Sequence, residues 1–123
     1  MLRMTTYKQR DIVLVKFIFS EGAGFKKRPA LILSSLEYHR SRREVIIAAV
    51  TSNVDRLLTG DTKVENWRKA NLLFPSVVTG ILQTIKGDMI ERTLGSLTTD
   101  DFNEVHKSLK ISFGFSSLPT RNN

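Results

Sequence analysis

Apolar residues in this chain fall in short dense runs separated by polar and glycine-containing stretches, which predicts strands more than long helices. Asp11 to Phe19, DIVLVKFIF, is rich in branched and aromatic residues. It is apolar on both parities, with Val13, Val15, Phe17 and Phe19 on one side and Ile12, Leu14 and Ile18 on the other. Such a strand is covered on both faces or has one face in a subunit contact. Ser20 to Phe25 is a loop with two glycines. A second strand is expected over Arg28 to Ser35, a basic turn over Leu36 to Arg43, and a third strand over Glu44 to Thr51. Thr62 to Glu65 reads as a short strand and Trp67 to Asn71 as a turn. Leu72 to Thr79 is extended, with Pro75 favouring an edge or a bend, and Ile81 to Ile85 and Glu91 to Ser96 are further extended pieces.

Only the C-terminal part carries a helical period. Thr98 and Asp101 resemble a capping box with Asp in place of Glu or Gln, and Asp100 and Asp101 suit the positive helix end. Phe102, Val105, Leu109 and Phe113 form the stripe and Gly114 the stop. The stripe reads as core, and His106 beside it as a surface or packing residue. Five to seven short strands and one terminal helix predict a mainly β (α+β) fold. The expected form is a small, strongly curved antiparallel sheet or partly open barrel, with the helix packed against it.

The 123 residues suit one domain, with a core over about residues 8–114 and a tail over 115–123. There is no cysteine, so disulfides and thiol chemistry are excluded, and the two histidines, His39 and His106, are too far apart in sequence to suggest a metal site. No apolar run reaches the length of a membrane span, and MLRMTTYKQR lacks a signal-peptide core, so the cytoplasm is expected. Net charge is +7, and it is uneven. Residues 1–56 hold 11 Lys/Arg against 5 Asp/Glu, whereas residues 57–123 hold 8 against 7. A basic half of this kind points first to nucleic acid, with an acidic protein as the other partner class.

The basic residues converge on KKRPALILSS, residues 26–35. Pro29 pushes Arg28 towards extended backbone. The guanidinium is thereby set at the mouth of a strand beside Lys26 and Lys27, a suitable way to present it to a phosphate. If strands two and three pair antiparallel about His39-Arg40, Arg28 falls opposite Thr51, on the same face. Guanidinium and hydroxyl then sit side by side, with Lys26, Lys27 and Ser52 nearby.

DIVLV, the glycine-containing loop, KKRPALILSS, AAVTS, QTI and a final helix near SLKISFG, in that order over about residues 8–114, resemble the MazF/PemK toxins. The resemblance implies an SH3-like barrel shared with the CcdB gyrase poisons. It implies a homodimer with an RNA groove between subunits, neutralised by a cognate antitoxin protein. The implied reaction is cleavage of single-stranded RNA at short sequences, without metal or cofactor, leaving a 2′,3′-cyclic phosphate and a 5′-hydroxyl. The family's essential arginine falls on Arg28 and its essential threonine on Thr51. The implied RNA contacts are Ser20, Lys26, Lys27, Ser52, Gln83 and Thr84.

Arg28 would answer charge growing on the phosphoryl oxygens, and Thr51 would hold a phosphoryl oxygen or orient the 2′-hydroxyl. Two departures stand out. The family usually opens its first strand with Gly-Asp, where this chain has Arg10-Asp11. Many members carry an acid, a Gln and an Arg before the Thr-Ile pair, where this chain has Gly80, Ile81 and Gln83 before Thr84-Ile85. Lys86 also stands where an aspartate is common. The acid has been assigned a base role, and Glu21 is the candidate substitute. The competing reading is a CcdB-like module that binds nucleic acid or a protein without cleaving.

Overall fold

The computed structural model describes residues 7–18 and 24–115. Six strands and two helices run in the order β1 (Asp11–Ile18), β2 (Phe25–Ile32), α1 (Leu36–Arg42), β3 (Glu44–Thr51), β4 (Thr62–Lys63), β5 (Val77–Lys86), β6 (Ile90–Ser96) and α2 (Thr99–Ser112). A single 3₁₀ turn, Gly87–Met89, joins β5 to β6. The strands make one antiparallel sheet in the order β4-β5-β3-β2-β1-β6. Its end strands do not pair with each other, so the sheet is open and the closure expected of a barrel is not there.

The strand pattern holds in outline and shifts at the ends. β3 has the expected bounds, while β2 begins three residues earlier than expected and ends at Ile32. The expected basic turn is a two-turn helix, α1. Ser35 caps it by accepting the Tyr38 amide at 3.2 Å, and Arg43 ends it in the left-handed region at φ 55°. Arg40 and Arg42 lie in its last turn, where cations suit the negative helix end. The register of β2 on β3 is nevertheless the expected one, pairing Ala30 with Ala49, Leu31 with Ala48 and Ile32 with Ile47. Residues 72–76 are not a strand, and β5 runs unbroken from Val77 through the separate piece expected at Ile81 to Ile85.

Both faces of the sheet are covered. One carries Ile12, Leu31, Ala48, Val50 and Val78 with Phe102 and Val105 of α2. The other carries Val13, Val15, Ala30, Ile32, Val45, Ile47 and Ile85 beneath Tyr7, Phe17, Met89 and Ile90. That accounts for the doubly apolar β1. α2 follows its expected stripe as far as Leu109, but Phe113 is the C-cap residue and is exposed. Thr98 caps the helix by accepting the Asp101 amide at 3.2 Å. Gly114, at φ 76°, closes it with the Phe115 amide donating to the Lys110 carbonyl and its own amide to Ile111.

The segment before β1 is tied down from Tyr7 onward. The Arg10 amide donates to the Ile32 carbonyl at 2.9 Å, and its carbonyl accepts the Leu97 amide at 3.0 Å. These bonds hold Arg10 at φ 83°, a region costing a residue with a Cβ about 1–2 kcal/mol. The glycine that the family usually places here is thus a conformational requirement. In this chain the Arg10 guanidinium offsets part of the strain by donating to Thr99 Oγ1 at 2.7 Å. Asp11 is buried and accepts from the Lys8 amide and the Ser96 hydroxyl, at 2.9 and 2.6 Å, locking this turn to β6.

A β-bulge interrupts β5 against β3, where Ala48 pairs with Leu82 but Val50 pairs with Val78. Thr79 Oγ1 donates to the Ala49 carbonyl and accepts the Ile81 amide, at 2.8 and 3.1 Å. Asp61 accepts the Gly80 amide at 2.8 Å and the Leu58 amide at 2.9 Å. A Cβ on Gly80 would lie 3.1 Å from Gly60 Cα and 3.2 Å from the Thr59 carbonyl. Two backbones therefore meet closely at Gly80, and any side chain there would require the 59–60 backbone to move back by a few tenths of an ångström.

His39 of α1 is buried against the Tyr7 ring edge and shares a 2.7 Å hydrogen bond with the Ser34 hydroxyl, which also accepts the Ile46 amide. Burial lowers its pKa from the usual imidazole range. The unfolded chain therefore takes up its proton first. Stability from neutral His39 is present above about pH 6.5 and falls as pH drops below that value towards the folded pKa. Denaturation midpoints between pH 7.5 and 5 should fall in the parent and flatten in His39→Gln. At position 10, Arg10→Gly should be more stable than Arg10→Ala by about 1 kcal/mol in urea unfolding, because both lose the Thr99 bond and only glycine relieves the strain. Equal stability of the two would refute the strain.

Candidate active site

The residues of interest lie where β2 and β3 part. Alternate residues of a strand share a face. Ala30 and Ile32 on β2, Val45 and Ile47 on β3, and Ile85 on β5 lie in one core. By parity, Lys26 and Arg28, Ala49 and Thr51, and Ile81 and Gln83 continue that face. Arg28 pairs with Val15 on β1, and the β2–β3 register carried two residues past Ala30 sets it across from Thr51.

Pro29 decides why the ladder stops there. The Leu33 amide donates to the Ile46 carbonyl on β3, whereas the Ile32 carbonyl accepts the Arg10 amide on the β1 side. Odd residues of β2 thus direct their hydrogen-bonding groups to β3. At position 29 that group is missing, because proline has no amide to give to Val50. The last pair is Ala30 with Ala49, and beyond it the strands open into a mouth holding Arg28 on one lip and Thr51 on the other.

The two side chains differ in their ties. Among the described residues the Arg28 guanidinium has no hydrogen-bond or ion-pair partner, and the residue is exposed. Thr51 is half-buried, and its Oγ1 accepts the Asn53 amide at 3.1 Å, which leaves its proton to donate outward. Asn53 Oδ1 in turn accepts the Asp55 amide at 3.2 Å. These turns, which fix the hydroxyl, are signalled only by the short TSN run. A flexible cation facing a held hydroxyl can grip an anionic tetrahedral group from two sides.

The other expected contacts divide. Lys26 and Gln83 share the face of Arg28 and Thr51, and both are exposed. Ser52 is exposed just past the end of β3. Lys27 points to the opposite face, where its ammonium pairs with Glu91 at 2.9 Å and stands 5.9 Å from the Phe25 ring. Lys16 sits 4.2 Å from that ring, so a cationic-aromatic group lies behind the mouth. Thr84 is exposed and on the opposite parity from Gln83. Ser20 and Glu21 lie outside the described residues. A polar cleft of about 680 Å³ at the first turns of α2 is separate from this face, and its buried Asp101 is spent on the Glu65 and Asn66 amides.

The fold is shared with proteins of known structure. The chain has TM-score 0.73 and 20% identity to MazE-MazF from Deinococcus radiodurans, over 91% of this chain and 100% of that one. It has TM-score 0.68 and 26% identity to the Mycobacterium tuberculosis toxin MazF-mt6, over 85% and 97%. An endoribonuclease in complex with its cognate antitoxin from a mycobacterial species gives 0.69 and 19%, over 94% and 99%. No curated protein matches in sequence. A family model, PemK-like, MazF-like toxin of type II toxin–antitoxin system, matches residues 8–113, and the chain belongs to that family.

Proposed function

We propose that this protein is a toxin acting as a metal-independent, cofactor-free endoribonuclease. It cuts single-stranded RNA at short sequences in the cytoplasm and leaves 2′,3′-cyclic phosphate and 5′-hydroxyl ends. The single observation that supports this most is the Arg28 guanidinium, unpartnered among the described residues, across an open strand end from Thr51. In the reaction the 2′-oxygen attacks the adjacent phosphorus, the P–O5′ bond breaks, and the 5′-oxygen leaves with a proton. Arg28 stabilises charge on the phosphoryl oxygens, and Thr51 donates to one of them or orients the 2′-hydroxyl. Lys26, Ser52 and Gln83 contact the RNA backbone and bases, with Ser20, Lys27 and Thr84 at the periphery. Glu21 takes the role of base, since position 80 is a glycine. The single domain works as a homodimer with the RNA groove between subunits, and a cognate antitoxin neutralises it. No helix among the described residues is long and apolar enough to cross a membrane.

Gly80 favours a second reading. Position 80 carries no acid, so a module of this fold that binds RNA, or a protein such as gyrase, without cutting is the alternative.

Purified protein in EDTA should cleave a mixed single-stranded RNA and leave cyclic-phosphate ends. Arg28→Ala should lose roughly two to three orders of magnitude in rate. Thr51→Ala should also lose activity, and both variants should keep the parent's circular dichroism. Salt-sensitive RNA binding without new 5′-hydroxyl ends, by a folded parent, would replace the enzyme with the binding module.

A further inference from the structure

The direction of the Thr51 hydroxyl is set by the chain that follows it, not by the sheet. Its backbone is fixed on one side, because Thr51, the last residue of β3, pairs with Val77 of β5. Among the described residues no strand pairs with it on the other side, since the β2 ladder ends at Ala30 with Ala49. A threonine side chain has three staggered χ1 wells, and its hydroxyl rotor has three more. The strand therefore places the root of this side chain and leaves the direction of its proton open.

Two hydrogen bonds in the turn after β3 narrow that choice. The Asn53 amide donates to Thr51 Oγ1 at 3.1 Å, and the Asp55 amide donates to Asn53 Oδ1 at 3.2 Å. The first occupies a lone pair of the hydroxyl, so the proton has to point away from the turn. The second closes an Asx turn, in which a side-chain oxygen takes an amide two residues on. That turn keeps the Asn53 amide aimed back at Thr51. Among the described residues these are the hydrogen bonds of the segment 52–56. Ser52, Asn53, Asp55 and Arg56 are exposed and only Val54 is half-buried, so packing does little to hold the segment.

We propose that Asn53 is a positioning residue of the candidate active site: its side chain closes the turn that keeps its own amide on Thr51 Oγ1, and so directs the Thr51 hydroxyl towards an anion facing Arg28. The inference rests on the ribonuclease reading for the identity of that anion, a phosphodiester of RNA. It rests on the two hydrogen bonds for the direction of the hydroxyl. Asn53 acts only through Thr51 and touches no reacting atom. Opening the turn releases Thr51 into the other χ1 and hydroxyl wells, which bounds the loss at about tenfold. That is well below the loss expected when the Arg28 guanidinium is removed.

The test uses isotopically labelled full-length protein, whose NMR couplings between the Thr51 backbone and its γ-methyl report χ1, together with cleavage of a mixed single-stranded RNA. The parent should hold Thr51 in one χ1 well, and Asn53→Ala should average it while leaving the urea midpoint unchanged. Asn53→Ala should lower kcat roughly three- to tenfold, with KM within about twofold of the parent. Asn53→Ser, whose hydroxyl can accept the Asp55 amide, should recover most of that rate. In a Thr51→Ala background, with enzyme in excess, Asn53→Ala should change the residual rate by less than about twofold. An equal loss in both backgrounds would mean a merely structural turn and overturns the proposal. So does a Thr51 rotamer that Asn53→Ala leaves unchanged. A folded parent that cuts no RNA counts against the ribonuclease reading, and the rotamer comparison alone then decides whether Asn53 directs Thr51.

Discussion

One missing amide organises the face where the chemistry is proposed. Odd residues of β2 bond to β3, and Pro29 is the odd residue at which bonding would continue. Replacing a donor by a ring carbon ends the ladder at Ala30–Ala49. The same proline keeps Arg28 extended, so the chain does not turn away after the break. β1 still holds β2 through Val15–Arg28, which leaves the strand ordered on one side and open on the other. A guanidinium is thereby carried on a rigid strand at the edge of an opening.

The β5 bulge works by the same accounting of polar groups. Two extra residues on β5 would strand several amides and carbonyls, and Thr79 and Asp61 take them up. The arrangement brings the 59–60 backbone close to residue 80, where a Cβ would be tight. The glycine at that place thus suits the local packing. A base, if the reaction uses one, has to come from another element.

Much of this was legible in the sequence because it rests on local rules. The branched runs located the strands, Thr98 and Gly114 bounded α2, and a pairing centred on His39-Arg40 matches the β2–β3 register even though a helix replaces the expected turn. What escaped depends on contacts distant in sequence. α1 is seven residues long, too short for its period to show. Arg10 adopts a glycine-like conformation because Ile32 and Leu97 hold its backbone, and nothing nearby in sequence announces that. Lys26, Lys27 and Arg28 read as one patch along the chain, but strand alternation sends Lys27 to the other face, where Glu91 meets it.

That division bears on how the site differs from an ordinary basic surface. Lys8, Lys27, Arg42 and Lys107 each have an acidic neighbour within 3.2 Å. Such exposed pairs contribute little to stability. Their value lies in cancelling charge where no ligand is needed. Among the described residues Arg28 has no such neighbour, although it sits one residue from Lys27 and on the face of Lys26. Leaving it unpaired raises the local positive potential, which disfavours folding slightly and favours an anion at the mouth. With Lys27 turned to the other face and paired with Glu91, Arg28 carries its charge to the strand opening on the parity of Thr51.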